Sequence, residues 1–279
     1  MFYRVGVRHV KVWRLADATP GSPSRSRLNV DSSTPKALSG RNCLLGSLSE
    51  TTFTCVASVS DHEAVVCTDT GAVCFLDDTE GGQKLSLVKY VSFGITSLTV
   101  DFDLGAVWLG GRGRKMQRFL IDDLRASTAS APPSPIPQDR DPGSQRGKKP
   151  AIIAMGFLST HIVTVDATHA IHVCPVDALD QEDEQSPTET SMPAHRDAVL
   201  GIGALKLPNT YDADFFTWSC GGTVNFWNMQ GRCQATKKVE LEQLQASDDD
   251  ILNELKVLRA TEDMKSFISG DRYGVLRYL

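Results

Sequence analysis

The sequence lacks several of the signatures that decide function in other chains. No apolar run approaches the ~18 residues that a membrane-spanning helix requires. The opening Met1-Phe2-Tyr3-Arg4-Val5-Gly6 has no apolar core followed by a cleavage site, so it does not read as a secretory signal. A basic excess is missing as well: 29 Lys and Arg stand against 34 Asp and Glu, a formal net charge of −5. Gripping a phosphate backbone needs concentrated positive charge, so nucleic acid is not an expected partner, and neither is a membrane. No Cys-x-x-Cys pair occurs among Cys43, Cys55, Cys67, Cys74, Cys174, Cys220 and Cys233. Their odd number and their places in apolar runs such as Val73-Cys74-Phe75 read as buried reduced thiols, in a cytosolic or nuclear chain. Helical periodicity is scarce, and the one candidate is Val239–Gln245, or its continuation through Asp248-Asp249-Asp250.

What is present instead is a succession of short β-rich runs, each followed by a turn of Gly, Asp, Asn or Ser. The most informative stretch is Asp214–Met229: a strand, a tight turn at Gly221-Gly222, a second strand and then Trp227-Asn228. It resembles the closing half of a WD-repeat, and Val7–Leu15, with Trp13, is a near-copy. The expected fold is an all-β WD-repeat β-propeller of about five blades plus a half, a rigid binding platform. Tyr3–Leu15 supplies only the latter half of a blade, and 52–76 a second. Leu85–Tyr90 opens a third that runs to 121. Residues 152–176, 198–229 and 254–279 form the others.

Three polar segments interrupt the series. Residues 17–36 carry three prolines, 125–150 centre on Pro132-Pro133-Ser134-Pro135-Ile136-Pro137, and 177–197 are acidic. Such compositions bury too little apolar surface to offset their ordering entropy, so all three are expected to be disordered insertions. The blades then occupy 1–250, with a final partial blade at 251–279. Because the series opens inside a blade and stops after an apparent third strand, the sequence reads as part of a longer protein, with closure of the ring on itself as the alternative.

The order of Val7–Leu15, Leu38-Ser39-Gly40-Arg41-Asn42-Cys43-Leu44-Leu45-Gly46, Phe53–Ala57, Phe215–Asn228 and Ser269–Arg277 resembles the mitogen-activated protein kinase-binding protein 1 family, which includes a microcephaly-associated spindle-pole member. The resemblance implies two propellers in tandem, with Ser269–Arg277 near the start of the second. It also implies a non-enzymatic scaffold for protein kinases or for spindle-pole and microtubule components, in the cytoplasm, at the cytoskeleton or in the nucleus. A generic WD-repeat subunit of a ubiquitin ligase or RNA-processing complex is the alternative, and a propeller hydrolase a further one.

In a full WD-repeat, an Asp, a Ser or Thr, a His and the Trp share a hydrogen-bond network. His195, Ser219 and Trp227 are the candidate members here, with Gly221 at the Asp position and Trp13 as the matching Trp of the first unit. Trp218 alternates with Ser219 and is the candidate for exposure. Gly110-Gly111-Arg112-Gly113-Arg114-Lys115 lacks the Ser/Thr and helix of a phosphate loop and reads as a charged hairpin turn. Arg112, Arg114 and Lys115 are there the candidates to grip an acidic or phosphorylated partner. His172 and Cys174 share a strand face, too few ligands for a zinc site. No cofactor, metal or catalytic residue is expected. Ser22, Thr34, Ser134 and Ser186 precede prolines in the loops and are candidate phosphosites, with Ser134 foremost.

Overall fold

The computed structural model describes residues 2–13, 40–79, 82–137, 149–179, 190–193, 195–243, 252–261, 263 and 265–279. They form six antiparallel sheets in chain order. The first holds β1 (Phe2–Gly6), β2 (His9–Trp13) and β3 (Gly40–Asn42). The second holds β4 (Phe53–Ser58), β5 (Glu63–Thr68), β6 (Ala72–Asp77) and β7 (Lys84–Tyr90). In the third, β8 (Ile95–Asp101), β9 (Ala106–Gly111) and β10 (Met116–Leu120) are followed by a helix, α1 (Ile121–Ser127). The fourth joins β11 (Ile152–Leu158), β12 (His161–Asp166) and β13 (Ala170–Pro175), then a short helix α2 (Val176–Leu179) and β14 (Thr190–Pro193). The fifth is β15 (Val199–Ala204), β16 (Phe215–Ser219), β17 (Thr223–Trp227) and β18 (Cys233–Lys238). The sixth is β19 (Leu255–Ala260), β20 (Phe267–Asp271) and β21 (Leu276–Tyr278). Strands β4, β8, β11, β15 and β19 follow one another as the inner strands, with β1 against β4.

One backbone device recurs. The carbonyls of Thr68, Asp166, Ser219 and Asp271 accept the N–H of the residue three positions on, at 2.8–3.2 Å. That residue is Gly71, His169, Gly222 or Gly274, each with φ between +66° and +84°. Glycine adopts this left-handed geometry without strain, and His169 holds it in the fourth sheet. The next N–H in each turn, from Asp69, Ala167, Cys220 or Arg272, donates to the carbonyl just before the inner strand (Thr52, Ala151, Ala198, Glu254) at 2.8–3.1 Å. Arg112 N–H to Gly94 O repeats the link in the third sheet. The turns thus fasten the second and third strands to the inner one at a common end.

Both faces of the middle strands are covered, so β9 and β16 are buried along their whole length rather than alternating. In the fifth sheet β15 provides room through Gly201 and Gly203. A Cβ on either would lie 2.2 Å from the rings of Trp218 and Phe216, which sit opposite them. Those rings, with Phe226, pack on Leu255, Leu258 and Phe267 of the sixth sheet. At the corresponding positions of the sixth sheet stand Ile268, Leu276 and Tyr278, which are 47%, 74% and 73% exposed, where Phe216, Val224 and Phe226 are at most 3%. Among the described residues, that outer face is uncovered.

Several expectations need correction. Lys84–Tyr90 does not open the third unit; it pairs with β6 as the outer strand of the second sheet. The segment 125–150 begins in the last turn of α1, where Arg125 bonds Glu63 at 2.8 Å and Leu124 is fully buried. The stretch 177–197 contains β14, paired with β13. Composition misses both, because short pieces are held by what they dock on rather than by their own apolar content. Residues 239–243 are not helical; Val239 N–H is taken by Gly222 O at 2.8 Å, which ties the segment to the turn before β17. The segment 17–36 lies outside the described residues. All seven cysteines are free. No helix among the described residues is long and apolar enough to cross a membrane.

Candidate functional site

The side chains that give the fifth sheet its WD character converge on Thr217, not on Ser219. His195 Nε2 lies 2.7 Å from Thr217 Oγ1, and Trp227 Nε1 donates to the same oxygen at 2.9 Å. Thr217 and Ser219 alternate onto one face of β16, so side-chain alternation does not separate them. The reach of the indole does: Trp227 ends β17 opposite Phe215, and its ring nitrogen meets the hydroxyl two residues inward. Ser219 is buried with no hydrogen-bond partner for its hydroxyl. The sequence signal for Thr217 was its place ten residues before Trp227 on the same face.

Gly221 stands at the turn position where a full WD-repeat carries Asp. A Cβ there would lie 2.2 Å from Asp197 Oδ2, so the Asp197 carboxylate already fills that space. His195 Nδ1 is buried and has no hydrogen-bond partner. Burial, with the nearby His169, pushes His195 down to about 4 despite the opposing charge of Asp197. The folded chain therefore keeps His195 neutral while an unfolded chain protonates it below about pH 6.5. Stability is expected to fall between about pH 6.5 and 4 and then level off. After solvent screening the loss is on the order of 2 kcal/mol. Thermal melts across that range measure it, and a His195→Gln variant with an equally steep loss would assign the effect elsewhere.

Trp13 ends β2 as Trp227 ends β17, but it is half-buried and beneath the Lys11 ammonium, 5.1 Å from its ring. Trp218 does point away from Ser219, as alternation requires, yet it is buried rather than exposed because the sixth sheet covers that face. Its ring packs beside Phe216, centroids 5.8 Å apart.

Arg112, Arg114 and Lys115 occupy the turn between β9 and β10, at the same end as the recurrent turns. Arg112 and Lys115 are exposed and Arg114 half-buried. Consecutive left-handed residues, Gly113 (φ 71°) and Arg114 (φ 55°), project this cationic knuckle. Ser134 is exposed. Ser22, Thr34 and Ser186 lie outside the described residues. His172 is engaged with Asp166 at 2.7 Å, and no cluster of His, Cys, Asp or Glu suited to a metal ion occurs among the described residues. A second feature was invisible in the sequence: a groove between the fifth and sixth sheets, floored by Phe226 and Phe267 and rimmed by Lys237 and Lys265.

The chain has the fold of a WD40 β-propeller. It superposes on the WD40 β-propeller domain of Doa1 with a TM-score of 0.53 at 15% identity, over 82% of this chain and 65% of that one. It thus spans just under two thirds of that domain's length. A computationally designed protein, Ika8, is similar at a TM-score of 0.48 and 16% identity, over 81% of this chain and 57% of that one. No family model matches the chain, and no curated protein does either.

Proposed function

We propose that this chain is a non-enzymatic protein-interaction scaffold whose partners are protein kinases or components of the spindle pole and microtubules. The observation that supports a scaffold is the common end of the sheets, where hydrogen-bonded turns on a β frame carry Arg112 and Lys115 at the surface with the half-buried Arg114 between them. A preformed cationic knuckle meets an acidic or phosphorylated partner without ordering itself first, and Arg offers two parallel donors to a carboxylate or phosphate. The family resemblance supports the kinase and spindle-pole assignment, and with it a cytoplasmic, cytoskeletal or nuclear location. Ser134, exposed beside Pro135, is the proposed site of proline-directed phosphorylation.

The test is affinity capture from dividing cells with the protein and with an Arg112→Glu/Arg114→Glu/Lys115→Glu variant. Kinase or spindle components held by the first and lost by the second are expected. Recovery of ubiquitin-ligase or RNA-processing subunits alone would overturn the pathway assignment. Equal recovery by both proteins would remove the knuckle from the interface. Phosphopeptide mapping that finds Ser134 only unmodified would withdraw that site.

A further inference from the structure

The groove between the fifth and sixth sheets combines features that no part of the WD frame requires. Its floor is aromatic: Tyr211 stacks on Phe226 with ring centroids 3.8 Å apart, and Phe267 meets Phe226 edge-on at 5.6 Å. Leu279 completes the apolar wall, and the cavity is about 230 Å³, room for one large side chain. Three lysines, Lys237, Lys238 and Lys265, complete the lining, which among the described residues includes no Asp or Glu side chain. Lys238 Nζ donates to Gly221 O at 2.7 Å, which leaves Lys237 and Lys265 as the cations at the mouth. Asp263, whose carboxyl is lowered first by the Thr261 hydroxyl and in smaller part by Lys265, sits outside the lining. In a chain of net charge −5, an all-cationic rim is a local exception to the average.

Lys237 stands opposite Val224, so it shares the face of β18 that looks toward the sixth sheet. Beyond it, β18 is the last strand of its sheet, and among the described residues its outer edge pairs with no further strand. An extended peptide laid along such an edge finds backbone donors and acceptors there, while its side chains enter adjacent pockets.

We infer that this groove binds an acidic peptide in extended form, with one aromatic or large aliphatic side chain inserted over Phe226 and Phe267 and flanking carboxylates at Lys237 and Lys265. The apolar floor provides burial and the lysines select sign, so neither an apolar nor an acidic peptide alone satisfies the site. The inference rests on the scaffold reading but on different residues, so the two fail separately: charge reversal at Arg112, Arg114 and Lys115 leaves this groove intact.

Fluorescence anisotropy of the full chain with a short labelled polyglutamate peptide carrying one central Phe tests it. Saturable binding is expected, weakened at least tenfold by Lys237→Glu/Lys265→Glu and weakened by added salt. The same peptide without the Phe, or with Lys replacing each Glu, should bind at least tenfold less. Both substituted lysines are at the surface, and a matching melting curve checks the fold; Lys237→Gln/Lys265→Gln serves if the charge reversal unfolds the chain. Unchanged binding to the variants, or equal binding of the peptide lacking Phe, overturns the proposal. Lysine-dependent binding to phosphatidylserine vesicles without binding to the peptide overturns it in favour of a lipid surface.

Discussion

Replacing Phe216 by alanine is expected to lower the unfolding free energy by about 3–5 kcal/mol, as for a large aromatic side chain removed from a packed core. Phe216 is 2% exposed and central to the seam between the fifth and sixth sheets. Its ring lies 5.8 Å from Trp218, 6.1 Å from Phe226 and 5.1 Å edge-on from Phe267, centroid to centroid. Nothing nearby can fill the space, because Gly203 behind the ring has no side chain and the sheets are held by their own ladders. The loss therefore includes a residual cavity as well as the transfer term. Urea denaturation read by tryptophan fluorescence measures it. A loss below about 1 kcal/mol would mean that the seam collapses around the deletion and that the sixth sheet is only loosely docked.

Asp166→Ala should cost a similar amount, about 3–5 kcal/mol, because it strands several buried donors at once, each at about 1–3 kcal/mol. The carboxylate accepts from Thr168 N–H at 2.8 Å, the Thr168 hydroxyl at 2.6 Å and Ala170 N–H at 3.3 Å, and it pairs with His172 at 2.7 Å. Burial by itself raises the pKa of this carboxyl, and the bonds from Thr168, His172 and Ala170 outweigh burial and hold it below the usual range. Alanine leaves a buried imidazole facing an empty site and loosens the turn that holds His169 in its left-handed conformation. Asp166→Asn keeps one acceptor oxygen for the turn and should lose less. Equal losses for Ala and Asn would place the whole effect in the charge rather than in the turn. Thermal unfolding of the two variants beside the parent distinguishes these cases.

The repeat grammar was legible because each unit writes it locally. A run of β-formers, a turn with glycine at the left-handed position and a second run ending in Trp need only neighbouring residues to be recognised, as in Phe215–Asn228. Six groups of strands follow from it, and six sheets are present. Where assignment failed, the missing information was non-local. Lys84–Tyr90 is a sound strand by its own pattern, but whether it closes the second sheet or opens the third depends on which edge is free. Helix α1 follows β10 but also meets β7, and its Leu124 packs in the cluster with Phe75, Val88 and Val107, so it docks on the second sheet. No pattern of seven residues announces that docking.

The candidate site divides in the same way. Sequence alone established the β-propeller class, the charged turn at Arg112–Lys115, and His195 and Trp227 as partners in one unit, because motif spacing carries these. Only the tertiary structure decided that Thr217 rather than Ser219 receives the indole, since alternation gives both residues the same face and only distance separates them. It also decided that Trp218 is buried. Alternation tells which way a side chain points, but what covers it belongs to the neighbouring sheet. The groove at Lys237 and Lys265 depends likewise on two sheets meeting, for its floor and rim come from segments that a linear pattern never sets side by side.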